Sequence, residues 1–152
     1  MTRRMIGCVT WALWGVLHVV AGAGPVVPVL RGRPDQVLAM HGTEAANLPP
    51  VAAALLANHG FNLIWGGVFA LVVAIRLNRH GSPGGYLANL AVISGFDIAF
   101  LGFMVLPGHV PPLVGTLGPT LWLIGAVALA PDAARVHTPS ASAASTLEPG
   151  VH

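Results

Sequence analysis

Lysine is absent from this chain of 152 residues, and only 8% of the residues are charged, where a soluble domain has about 25%. A surface that poor in charge is not solvated by water, so lipid is the expected solvent. The seven basic residues are all arginines, placed in short connections and termini rather than in a patch. The chain therefore has no footprint for nucleic acid, which takes clustered Lys and Arg on one face. Cys8 is the only cysteine, which excludes an internal disulfide and a CxxC redox or metal pair. At the start of an apolar segment it reads as a small buried hydrophobe. Tight metal motifs such as HExxH are also missing, and no metal site is expected.

What is present is apolar sequence: 55% of the chain is hydrophobic. Crossing the hydrocarbon takes about 20 apolar residues in a helix, and four stretches are long enough or nearly so, at 5–24, 51–77, 86–106 and 112–130. None alternates in the manner of a barrel strand, so helices are the structure that satisfies the backbone in lipid. Breakers punctuate them at Gly24-Pro25, Ser82-Pro83-Gly84, Pro107-Gly108 and Pro131. The expected fold is all-α, an integral membrane four-helix bundle spanning residues 1–131. Its outer loop covers 25–50, and a Ser/Ala/Thr/Pro-rich, disordered cytoplasmic tail covers 132–152. Within the loop, RPDQVLAMHG reads as a short helix resting at the membrane surface. TRR followed by an apolar stretch and AGAG is also the pattern of a cleavable signal peptide. Trp11, Trp14 and His18 interrupt that pattern, so the segment is expected to stay as a span.

Arginine sets the expected orientation. Arg3, Arg4, Arg76, Arg79 and Arg135 share one side of four alternating helices, against Arg31 and Arg33 on the other. Both termini are expected in the cytoplasm, with the protein in the cell inner membrane.

The informative residues are the polar ones inside the spans, which cost free energy in lipid and usually face a bundle interior. They are His18, Asn58, His59, Asn62, Asn89 and Asp97. At 1.5 Å per residue and a core about 30 Å thick, His18 and His59 lie about 10 Å below the outer boundary, Asp97 about 14 Å and Asn62 about 15 Å. Asn89 falls near the cytoplasmic edge. Helical phase places Trp11, Trp14 and His18 on one stripe and Asn58, Asn62 and Trp65 on another; a third joins Asp97, Phe100 and Met104. The last helix offers Thr116, Thr120 and Trp122 beside a Gly118-Pro119 break. The expected site is an aromatic-walled pocket. Asp97, His59 and His18 are its candidate catalytic residues, and Asn58, Asn62, Trp14, Trp65, Phe100 and Trp122 its candidate substrate-binding residues. No intramembrane Lys or Arg exists to pair with Asp97, so a histidine is its expected partner, and such a pair shares protons.

Three functions fit. The first is binding or acid–base transformation of a lipophilic small molecule, and the sequence does not choose between binding and catalysis. The second is a b-type haem held by His18 and His59 on antiparallel helices. The third is a non-catalytic accessory subunit, in which the polar set only locks the bundle, with a membrane-protein partner or a homo-oligomer implied. WGVLHVVAGAG in the first helix and HGFNLIWGGVFALVVA in the second resemble the small bacterial four-helix membrane proteins of the DoxX-like kind, over about residues 5 to 130. That resemblance implies four transmembrane helices and a link to quinone-coupled oxidation or to larger membrane assemblies. It carries no set of active-site residues.

Overall fold

The computed structural model describes residues 2–36 and 49–134. The tail from 135 onward and most of RPDQVLAMHG, with His41, lie outside the described residues. Among those described there is no strand, and four helical segments are long and apolar enough to cross a membrane: Arg3–Leu30, Pro50–His80, Pro83–Val105 and Pro112–Pro131. The chain is a four-helix bundle.

Helix α1 (Arg3–Leu30) begins at Thr2, whose hydroxyl accepts from the Met5 amide, the usual satisfaction of a first-turn donor. It is longer than the expected 5–24, because it runs through Pro25 and Pro28. Each proline removes one helical N–H, which leaves the carbonyls of Ala21 and Gly24 without that partner. Close packing holds the segment helical, with Pro28 buried and the Pro25 ring against Gly60. The helix ends where Gly32 takes a positive φ of 67°, a conformation that favours glycine.

Helix α2 (Pro50–Arg76) returns antiparallel and ends in a tight turn, Asn78–His80, closed by Gly81 at φ 72°. Ser82 then caps α3 (Pro83–Phe100) by accepting from the Gly85 amide, with Pro83 at its first position, where the missing N–H is harmless. α3 runs on into one π-helical turn, Leu101–Val105, marked by the bond from the Leu106 amide to the Leu101 carbonyl. The expected break at Gly118-Pro119 sits three residues earlier. Short α4 (Pro112–Gly115) stops at Thr116, and α5 (Leu117–Ala134) starts beyond it. Pro119 thus falls in a first turn, where its lack of an N–H costs nothing.

Helices in lipid associate by packing rather than by escape from water, so small residues mark the seams. α1 and α2 meet at two glycine pairs, Gly15 with Gly67 and Gly22 with Gly60. In each, a Cβ on either partner would collide with the other's carbonyl oxygen. α1 meets α5 at Gly7 against Leu129 and Trp11 against Gly125. Trp11 also stacks on Tyr86 of α3 at 5.6 Å and donates its indole N–H to the Trp122 carbonyl. α2 and α3 touch at Gly66, which faces the Phe96 ring, and near the turn, where Gly85 meets Leu77 and Asn78. Adjacent glycines 66 and 67 thus serve two different neighbours.

Candidate functional site

The glycine pairs fix the antiparallel register of α1 on α2. With Gly15 opposite Gly67 and Gly22 opposite Gly60, His18 is level with Ile64, whereas His59 is level with Ala23. The two histidines are therefore about 8 Å apart in height, not matched as the sequence suggested. Counting from Arg4 at one boundary, His18 lies about 9 Å inside the distal boundary, the one farther from the N-terminus, with Asn62 about 6 Å inside it and Asn58 and His59 at its edge.

Three of the expected residues do converge. Asp97, on α3, is 1% exposed. Its Oδ2 accepts the indole N–H of buried Trp14 at 3.0 Å. One turn above Trp14 on α1, His18 stacks on that indole with ring centroids 3.6 Å apart. His18 Nδ1 donates to the Trp14 carbonyl at 2.9 Å, since a carbonyl oxygen can only accept. In a neutral ring this leaves Nε2 as the acceptor. Gly118 of α5 closes the fourth side. A Cβ there would lie 3.3 Å from Asp97 Oδ1, 3.4 Å from His18 Cε1 and 3.7 Å from Trp14 Nε1. Carboxylate, imidazole and indole thus gather around one glycine backbone. Phe96 stands edge-on to both Trp14 and His18, at 6.0 and 6.2 Å.

The other expected members are elsewhere. Asn58, His59 and Asn62 are exposed, and Trp65 is 64% exposed, so the single pocket inferred from phase and depth does not assemble. The physical reason is that α2 faces α1 through its glycines, not its asparagines. Phe100 and Trp122 are half-buried. Trp122 offers its carbonyl to Trp11, while its own indole nitrogen is buried without a partner among the described residues. Thr116 and Thr120 fold their hydroxyls back onto the Pro112 and Thr116 carbonyls and do not point inward. His18 stacks on Trp14, and exposed His59 lies about 8 Å higher, so the two are not the level pair of axial ligands expected for a haem.

Asn89 lies deeper than an edge position implies: it is fully buried and donates to the Ala70 carbonyl at 3.1 Å. Its Oδ1 is buried without a partner among the described residues. Exchange for leucine removes one interhelical hydrogen bond, worth on average about 0.6 kcal/mol in a membrane bundle, and also an unpaired acceptor. Asn89→Leu is therefore expected to change stability by no more than about 1 kcal/mol, read from thermal unfolding in detergent.

Sequence reasoning missed Phe96, named Gly118 only as part of a helix break, and gave Trp14 only an apolar role. Gly118 did leave a signal, one heptad before Gly125 on the α1-facing stripe. Among the described residues, no group of three or more His, Cys, Asp and Glu side chains gathers as a metal would require. No protein-family model, no curated protein and no solved structure matches this chain.

Proposed function

We propose that the protein binds or transforms a lipophilic small molecule at an intramembrane acid–base site, with Asp97 as the proton carrier and His18 as its partner. The observation that carries this reading is the buried Asp97 carboxyl, held by the Trp14 indole and gathered with His18 around Gly118. A carboxyl group in hydrocarbon is costly, and a lone hydrogen bond from an indole does not need an ionisable acceptor. An asparagine would serve the bundle as well, as Asn89 does on the same helix. The ionisable choice is what chemistry requires. Trp14 and Phe96 supply the apolar walls usual for such a site.

The test follows from that contrast. Asp97→Asn is nearly isosteric and keeps an acceptor for Trp14, so it is expected to fold with a loss of about 1–2 kcal/mol at most. It is also expected to lose the small molecule that co-purifies with the wild type, compared by mass spectrometry of solvent extracts from equal amounts of protein. A folded Asp97→Asn protein with an unchanged extract would instead make Asp97 a structural lock, in keeping with an accessory subunit. A Soret band in the purified protein would redirect the reading to haem.

Setting and orientation belong to the same proposal. A bacterial inner membrane with both termini cytoplasmic accords with four arginines at the α1 start and the α2–α3 turn (Arg3, Arg4, Arg76, Arg79) against Arg31 and Arg33 opposite. The DoxX-like resemblance points to the same setting.

A further inference from the structure

The exposed polar residues of α2 have a position in common. Helical phase puts His59 and Asn62 on the stripe of Gly66 and Ala70, the face that meets α3 lower down through Phe96 and Asn89. On α3 the stripe of Gly85, Asn89 and Phe96 continues upward through exposed Ala99 and half-buried Phe100 to the π-helical turn. Among the described residues, the two stripes are in contact up to Gly66 and Phe96, and His59, Asn62 and Ala99 beyond them are exposed. The two helices therefore part in the distal leaflet and leave a cleft facing lipid. It runs from His59 at the boundary to Phe96, about 12 Å beneath it. Phe96 stands between this cleft and the Trp14–His18 pair.

Resting on the acid–base reading, we propose that the cleft is the ligand's lateral entrance from the distal leaflet, and that the ligand is an amphiphile with an uncharged, hydrogen-bonding head such as a hydroxyl or carbonyl. His59 and Asn62 receive the head at the level where lipid heads end. Phe100 lines the path of the tail, and Phe96 is the gate to Asp97. The head is uncharged because neither stripe offers it a charged partner: 51–75 contains no Asp, Glu, Lys or Arg, and Asp97, the only one in 86–106, points away toward Trp14 and Gly118. Asparagine and histidine side chains offer both donors and acceptors, which suits a hydroxyl or a carbonyl equally.

The test is photolabelling of the whole protein in phosphatidylcholine nanodiscs with a diazirine-bearing long-chain alcohol, read by peptide mass spectrometry. Label is expected in 55–66 and 96–105, competed by unlabelled long-chain alcohol and not by the alkyl sulfate of equal length. The double substitution His59→Leu with Asn62→Leu, at exposed positions that cannot perturb the core, is expected to weaken competition about tenfold, the effect of one lost hydrogen bond. Label spread evenly over the outward faces of all four helices, or competition unchanged in the double variant, overturns the entrance. Asp97→Asn separates the two readings. Cleft labelling that persists in this variant while its co-purifying molecule is also unchanged sinks the acid–base site alone. Loss of that molecule in Asp97→Asn, with no effect of the double variant on labelling, sinks the entrance alone.

Discussion

Gly22→Leu is expected to prevent α1 and α2 from closing on each other. A side chain at this position runs into the Gly60 carbonyl, and 2.9 Å from the would-be Cβ lies Ile64 Cγ1. The obstacle is helix backbone, which cannot swing aside as a flexible side chain would. Overpacking of a tight seam costs about 1–3 kcal/mol and sometimes more. Here leucine would push two helices apart along their whole contact, including the second pair at Gly15 and Gly67, so a loss of at least about 3 kcal/mol is expected. Unfolding in mixed micelles of rising SDS content, followed by helical circular dichroism, measures it. Gly95→Ala is the control. A Cβ there meets nothing within 4 Å, and alanine's higher helix propensity makes this change neutral or stabilising by up to about 1 kcal/mol. Equal behaviour of the two variants would mean that the glycine pairs do not set the distance between α1 and α2.

The second large effect is expected of Trp14→Phe. Phenylalanine keeps an aromatic ring for the His18 stack but removes the N–H that reaches Asp97 Oδ2. A buried carboxyl deprived of a donor retains its full desolvation penalty, about 1–3 kcal/mol. Loss of indole area and of part of the stack adds to this, for about 2–4 kcal/mol in all. The double variant Trp14→Phe with Asp97→Leu is expected to recover a good part of that loss, because replacing both partners by apolar groups leaves nothing unsatisfied. Stability of the two single variants and the double variant, measured in the same micelles, reads the coupling directly. Strict additivity would show that the indole and the carboxyl do not interact.

Much of the architecture was legible because hydrocarbon imposes two crude conditions, enough apolar length and a satisfied backbone. The four spans follow from these, and the ends fail where local chemistry contradicts tertiary packing. Gly24-Pro25 reads as a terminator, yet α1 runs on through Pro25 and Pro28 to Leu30, and Gly60 makes room for the first ring. At the site, Asp97 and His18 could be brought together from depth and phase alone. His59 could not be excluded by the same means, since depth was counted from an assumed end of α2. The true register is set by the glycine pairs, and which glycine meets which is a property of two helices at once. Phase grouped Asn62 with Asn58 and Trp65, and all three are exposed. What phase could not contain is which neighbour covers a given stripe, and at what height.

The π-helical turn after Phe100 has a consequence for the far end of α3. Such a turn amounts to one residue inserted into an α-helix, so everything beyond it is rotated relative to Asp97 by roughly a quarter of a revolution. That rotation delivers the Val105 side chain onto Gly115, pinning the corner into α4. Excising Gly102, whose surroundings are open, would let the helix rewind regularly and swing Val105 off its seat. The carboxyl end of the span would then lose its anchor, while the indole–carboxyl pair one turn below the splice kept its place.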